Sequence, residues 1–302
     1  MQAKIVIVGS LNMDLVVRTP RVPVGGETLA GRSFVTAPGG KGANQAVACA
    51  RLGAQVTMIG CVGRDAYGEQ LRSGLEAEGI ECSTVASVEG VPTGIASILV
   101  DDNGQNCIVI VAGSNGELSP EHLTRHDAAL QAADVVIAQL EVSVATVEKT
   151  LTRARELGKT VILNPAPAVG PLPAHWYGHV DYLVPNESEA GLLTGIEVNS
   201  LETAAQAAQQ LLDAGAKRIL LTMGSQGVLY KDTERQQHFP AQVVQAVDTT
   251  AAGDTFVGGF AAALGEGLPL EEAVRLGQQA AALSVTRAGA QPSIPYRREL
   301  NI

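Results

Sequence analysis

Hydrophobic positions along the chain follow two rhythms. Short apolar runs rich in β-branched residues occur at "KIVIVG" (4–9), "VTMIG" (56–60), "VVIAQL" (135–140), "TVILN" (160–164), "YLVPN" (182–186) and "RILLTM" (218–223). Between them, segments 66–78, 120–132, 143–157 and 201–214 place apolar residues at helical spacing. Continuous apolar strands separated by helices predict an α/β fold, with a mainly parallel central sheet and helices on both faces.

Two segments depart from that rhythm. Residues 14–37 and 91–112 read as strands and turns without helices, and "DDNGQN" (101–106) is a hairpin signal between two β-rich runs. They predict a small separate β-sheet, positioned as a lid over a site. After residue 253 the pattern is helical, with Ala- and Gly-rich stretches suited to close helix packing. The chain therefore reads as one domain, 1–302, carrying lid segments at about 14–37 and 91–112.

Composition narrows the function classes. With 46% apolar and 17% charged residues, a large core forms and wholesale disorder is excluded. The charge sum, 21 − 31 = −10, comes without any cationic block, which argues against nucleic-acid binding. An anionic ligand would need helix N-termini and a few chosen cations. The start, "MQAKIVIVGS", is too short an apolar run for a signal peptide, and no later run reaches membrane-spanning length. Cys49, Cys61, Cys82 and Cys107 form no CxxC pair, so a cytoplasmic protein with reduced thiols is expected.

Several motifs carry candidate chemistry. In "DTTAAGDTF" (248–256), small residues lead into an apolar helix, where exposed N–H groups bind an anion. Asp254 is there either as a helix cap or as a base beside a bound phosphate. "PGGKGANQAVACARLGA" (38–54) lacks the GxxxxGK[ST] pattern of a P-loop. It is either a flexible entry to a helix or a small-molecule site using Asn44 and Gln45. "VGSLNMD" (8–14) lacks GxGxxG and reads as a turn in which Asn12 and Asp14 satisfy local backbone or hold sugar hydroxyls. "NESE" (186–189) suits a helix N-terminus, or a magnesium site using carboxylate and water. "TMGSQG" (222–227) is a tight hairpin turn or a backbone approached by phosphate or ribose. The HxxxH pairs His122/His126 and His175/His179 lack the Glu of a HExxH zinc site.

Taken in order, "GGKGANQA" (39–46), "NPAPA" (164–168), "PNESEA" (185–190), "TMGSQG" and "DTTAAGDTFVGGF" (248–260) resemble the ribokinase branch of the PfkB carbohydrate kinase family over essentially the whole chain. The resemblance implies a ribokinase-like fold and ATP-dependent phosphorylation of D-ribose at its 5-hydroxyl. It implies that Asp254 is the base, and that the amides of Ala251, Ala252 and Gly253 face the transferring phosphoryl group. Asn12, Met13, Asp14, Gly40, Lys41, Gly42, Ala43, Asn44 and Glu141 would form the sugar pocket. Asn186, Thr222, Met223, Gly224, Ser225, Gln226 and Gly227 would bind ATP together with Gly253 and Asp254. Gln278 stands at the adenine end, where relatives often carry His. Glu189 would organise Mg2+ through water. Asp248, Thr250, Ser284, Arg287, Gly289 and Ser293 would surround an activating monovalent cation, K+, mostly through backbone oxygens. By the same resemblance the lid forms a homodimer contact.

Rival readings are a kinase for 2-deoxyribose, another pentose or a nucleoside, and a sugar-binding sensor that has lost catalysis. Intact Asp254, NxxE and AAGD elements argue against the sensor, and the missing GxGxxG argues against a nicotinamide dehydrogenase.

Overall fold

In the computed structural model, which describes residues 2–300, the first apolar run forms β1 (Lys4–Val8). It is followed by β2 (Asn12–Arg18), β3 (Ser33–Gly39), α1 (Lys41–Arg51), β4 (Gln55–Gly63) and α2 (Ala66–Ala77). Next come β5 (Val85–Val88), β6 (Gly94–Val100), β7 (Asn106–Val111), α3 (Pro120–Arg125), α4 (Asp127–Ala132) and β8 (Val135–Ala138). The remainder adds α5 (Val144–Glu156), β9 (Thr160–Leu163), β10 (Tyr182–Leu183), α6 (Glu187–Thr194), α7 (Leu201–Asp213) and β11 (Ile219–Thr222). The last elements are β12 (Val228–Lys231), β13 (Gln236–Phe239), α8 (Ala252–Gly265) and α9 (Leu270–Ser284).

A nine-stranded sheet runs in the order β13-β12-β11-β10-β9-β8-β1-β4-β5. From β11 to β5 every neighbouring pair is parallel, while β12 and β13 close one edge as antiparallel strands. Successive side chains in a strand point to opposite faces, so each strand feeds two cores. Ile5, Ile7 and Ile137 pack with α1, α8 and α9 residues such as Val47, Phe260 and Val274. Val6, Val8 and Val136 pack with α5 and α7 residues such as Leu151 and Leu211 on the opposite face. Burial on both faces is why these runs are continuously apolar.

The second sheet has four strands in the order β3-β2-β6-β7, with β2 parallel to β6 and antiparallel to β3. The hairpin at 101–105 joins β6 to β7 and is closed by Gly104 N–H donating to Asp101 O.

Three boundaries differ from the sequence pattern. The small sheet starts at Asn12 and ends its first hairpin at Gly39, so Asn12 and Asp14 are strand residues and the turn after β1 is only Gly9–Leu11. The helix expected over 120–132 breaks at His126, which is both the end of α3 and the start of α4. The run at 182–186 supplies only two paired residues before Asn186 caps α6. No helix among the described residues is long and apolar enough to cross a membrane.

Candidate active site

Close helix packing places the acid of the Gly-Asp pair. At Gly258 of α8 a Cβ would lie 2.3 Å from the Ala48 Cβ of α1, and at Gly259 it would lie 2.9 Å from the Gly277 Cα of α9. Without side chains there, α8 sinks against both neighbours. Its first turn therefore meets the first turn of α1. Asn44 Nδ2 donates to Asp254 Oδ2 at 3.0 Å, and Gln45 Nε2 donates to Asp254 Oδ1 at 2.9 Å. Gln139, at the carboxyl end of β8, donates to Gln45 Oε1 at 2.6 Å and so fixes which end of that amide faces the acid. Gln45 Nε2 also donates to Asn164 Oδ1 at 3.1 Å, and Asn164 is anchored on Val184 O.

Burial raises the Asp254 pKa, opposed by the Lys41 charge and by the Asn44 and Gln45 donors, with Glu141 adding to the rise. Burial alone would lower the Lys41 pKa, but Asp254, Glu141 and Glu189 hold it above the ordinary lysine value. One cation thus sits among three carboxylates. Asp254 keeps a free lone pair on each oxygen beyond its two amide bonds, which leaves room for an incoming hydroxyl proton.

The start of α8 has an unusual backbone. Ala251 adopts φ 59°, the only positive φ outside glycine among the described residues. Such a conformation costs an L-residue about 1–2 kcal/mol. Thr255 holds it by donating both N–H and Oγ1 to Ala251 O. The Ala252 N–H lies 3.2 Å from Thr249 O. An open cleft faces this turn, lined by Ala251, Ala252, Gly253 and Asp254 together with Lys41, Asn164, Asn186, Glu189, Thr222 and Thr249.

Across the cleft, Asn186 and Glu189 form a reciprocal capping box. Asn186 Oδ1 accepts from Glu189 N at 2.8 Å, and Glu189 Oε2 accepts from Asn186 N at 2.9 Å. The capping expectation is realised, and Glu189 Oε1 remains for another ligand. Burial raises the Glu189 pKa despite the Asn186 amide and Lys41. Thr222 bridges to Asn186 at the end of β11, and Gly224–Gln226 form the turn into β12, which is the expected hairpin. Gln278 lies away from the lining, with Nε2 donating to Phe239 O at 2.9 Å.

The sugar-side candidates meet where the two sheets join. Asn12 and Asp14 share one face of β2, and the positions beside Asn12 on both neighbouring strands are glycines, Gly39 and Gly94. A Cβ at Gly39 would fall 2.4 Å from the Asp14 carboxylate, so the bare backbone makes room for it. Burial, with Glu141 and Asp254 nearby, pushes the Asp14 pKa up to about 7. Asn44 Oδ1 is buried without a partner. Glu141 Oε2 accepts from Lys41 N at 3.0 Å and from the Ser10 hydroxyl, so it caps α1 as well as facing Lys41. Gly40 (φ 89°) turns the chain into α1, while Gly42 packs against the Gly9–Ser10 backbone. Met13 and Ala43 point elsewhere, because both side chains lie in the hydrophobic core.

Of the cation-loop candidates, Asp248, Thr250 and Gly289 are drawn together. Asp248 Oδ1 accepts from Thr250 N and Oγ1, and Asp248 Oδ2 accepts from Gly289 N at 2.8 Å. Ser284 and Ser293 hydroxyls donate to Ala281 O and Ala290 O, and Arg287 pairs with Glu299 on the outside.

Sequence reasoning left several residues without a role: Ser10, Asn115, Gln139, Asn164 and Thr249. Gln139 did leave a signal, a lone amide at the carboxyl end of an apolar central strand, the usual ligand side of such a sheet. Asn115 left none, since "GSNGE" reads as an ordinary turn.

Comparison with known proteins shows the family and the fold. Residues 2–297 match the family described as pfkB family carbohydrate kinase. The chain is 42% identical over 299 residues to a ribokinase of Haemophilus influenzae, covering 99% of this chain and 97% of that relative. It is also 38% identical over 297 residues to a deoxyribokinase of Salmonella typhi, covering 98% and 97%. Among solved structures, the Arabidopsis thaliana ribokinase complexed with ribose and ATP superposes with a TM-score of 0.92 at 35% identity, covering 99% of this chain and 97% of the other.

Proposed function

The chain belongs to the pfkB family of carbohydrate kinases, and on that premise we propose that it transfers the γ-phosphoryl group of ATP to the 5-hydroxyl of D-ribose. The observation that carries this reading is the position of Asp254. It stands buried at the α8 N-terminus, held by Asn44 and Gln45, and lines the same cleft as Lys41, Asn186 and Glu189.

In this mechanism Asp254 accepts the proton of the attacking hydroxyl as the new P–O bond forms. The amides of Ala251 and Gly253 at the start of α8 face charge on the transferring group and stabilise it, and the Ala252 amide joins them by leaving Thr249 O. Asn12, Asp14 and Asn44 hold the sugar so that attack is in line. The turn at Thr222–Gly227 and Asn186 position ATP, with Gln278 bracing the wall of β13 at the adenine end. The donor set fits magnesium, which keeps several waters and takes one or two carboxylates, and Glu189 with its free Oε1 would hold it. Magnesium, when bound, neutralises charge on the phosphates. The loop joining Asp248 to Gly289 fits a weakly held monovalent cation bound by oxygens, with Thr250, Ser284, Arg287 and Ser293 around it.

The small sheet is proposed to act as a lid that excludes water, a competing acceptor. Phe34, Val35 and Ile108–Val111 expose apolar side chains on it, which supports a homodimer through this sheet. A cytoplasmic location completes the reading. The second reading, 2-deoxyribose as substrate, is kept open by the 38% identity to a deoxyribokinase. Measuring ADP release with ribose, 2-deoxyribose, other pentoses and nucleosides tests both. Ribose is expected to give the highest kcat/KM, and a panel in which no sugar releases ADP would overturn the enzyme reading.

A further inference from the structure

A hydroxyl both donates and accepts hydrogen bonds, so a site that recognises one must offer a fixed pattern of donors and acceptors. An asparagine amide can present either end, and only its neighbours decide which. At Asn12 the decision can be traced back to the main chain. Leu11 N–H donates to Asn115 Oδ1 at 2.9 Å, and Leu11 C=O accepts from Asn115 Nδ2 at 3.1 Å. Main-chain polarity is not adjustable, so the Asn115 amide has one orientation. Its Nδ2 then donates to Asn12 Oδ1 at 2.8 Å. That takes the carbonyl end of Asn12 and leaves Nδ2, which has no acceptor among the described residues. Asn115 is fully buried, and its three side-chain hydrogen bonds all go to residues 11 and 12.

The packing around the pair is equally specific. Gly94, opposite Asn12 on β6, has no room for a Cβ, which would lie 2.3 Å from Asn115 Nδ2 and 2.4 Å from Asn12 Oδ1. Asn115 follows the end of β7, whereas Asn12 begins β2, so the contact also ties two crossings between the sheets.

From this arrangement we infer that Asn115 is a positioning residue for substrate choice: it holds Asn12 with its N–H end toward the sugar and so favours ribose over 2-deoxyribose. Asn12 supplies the donor, and Asp14, two residues along the same face, supplies an acceptor for the hydroxyl proton. A sugar lacking that hydroxyl leaves both groups unpaired, which is where discrimination comes from. The inference rests on the assignment of Asn12 to the sugar pocket.

The test is Asn115→Asp, which keeps the size and the acceptor for Leu11 N–H but replaces the donor facing both Leu11 C=O and Asn12 Oδ1 by an oxygen. Asn12 then turns its NH2 toward residue 115 and its carbonyl toward the sugar. The kcat/KM for ribose should fall at least about tenfold, mainly through KM, while that for 2-deoxyribose changes less than about threefold. The KM for ATP should be unchanged. Gly94→Ala, which wedges the two amides apart from the other side, should narrow the preference in the same direction and decides the matter should Asn115→Asp fail to fold. Equal losses for both sugars in both variants, or an unchanged ratio, would overturn the inference and leave Asn115 a structural brace. Asn12→Met separates the two levels. If it alone narrows the ratio, Asn115 has no positioning role; if even it leaves the ratio unchanged, the placement of Asn12 in the sugar pocket fails.

Discussion

Replacing Asp14 by Asn should make the ligand-free protein more stable and a poorer enzyme. Asp14 is buried, and its neighbours Glu141 and Asp254 are both acids, so its pKa rises from the ordinary 3.8 to about 7. An acid whose folded-state pKa is raised binds protons more tightly when folded, so stability falls as pH increases from 3.8 to about 7. Above that window the whole penalty is present, and below 3.8 none of it is. At about 1.4 kcal/mol per pH unit the penalty reaches roughly 4 kcal/mol. An amide at the same place still buries a polar group, so a gain of about 2–4 kcal/mol is expected for Asp14→Asn above neutrality. In a chain of this size that raises Tm by several degrees, at about 2 °C per kcal/mol.

Function should move the other way. A hydrogen bond from a sugar hydroxyl to a charged group contributes about 1.5–3 kcal/mol, so kcat/KM for ribose should drop by about 10- to 150-fold. The assay is a set of thermal melts of both proteins without ligand at pH 4.5 and 8.5, beside initial rates at pH 8. The stability gain should be several-fold larger at pH 8.5 than at pH 4.5. A gain that is equal at the two pH values, or a variant less stable than the parent at pH 8.5, would refute the argument that Asp14 is an unpaired buried acid kept for a ligand.

Ala251→Gly should relieve the positive φ and raise stability by about 0.5–1 kcal/mol, the αL cost less the greater freedom of glycine in the unfolded chain; a lower Tm than the parent would contradict the strain. Potassium should raise the rate over sodium or choline at equal ionic strength, and identical rates in the three salts would remove the cation loop around Asp248 from the account. Asn12→Met should narrow the preference for ribose over 2-deoxyribose mainly by harming ribose, as competition between the two sugars would reveal; an unchanged ratio would return Asn12 to a turn-bracing role.

The parallel sheet was legible because its strands are buried on both faces and so read as unbroken apolar runs. β5, with Ala86 and Val88 only partly buried, and β13, "QQHF", lie at the sheet edges and gave no such run. Around the site, residues carried on glycine-marked helix starts, Lys41, Asn44 and Asp254, stood out in the sequence. Those that orient them did not. Gln139 reaches Gln45 from 94 residues away and Asn115 reaches Leu11 from 104, and nothing local in either segment shows what it will touch. Met13 and Ala43 were drawn into the expected pocket by their neighbours in the chain, whereas strand and helix geometry turns their side chains into the core. The small sheet was recognised from its missing helices, but its starting point was displaced by two residues, because Asn12 looks like a turn residue until Gly39 and Gly94 are seen on either side of it.

The central claim is that Asp254 takes a proton from ribose while ATP gives up its terminal phosphoryl group. The most direct measurement follows ADP release with ATP and ribose by the parent protein and by Asp254→Asn, alongside calorimetric binding of ribose to each. The parent should release ADP in a ribose-dependent way, and in the variant kcat should be lower by roughly 10²–10⁴ with ribose still bound. Turnover close to the parent's in Asp254→Asn would contradict it, since Asp254 would then be no more than a residue in the first turn of α8.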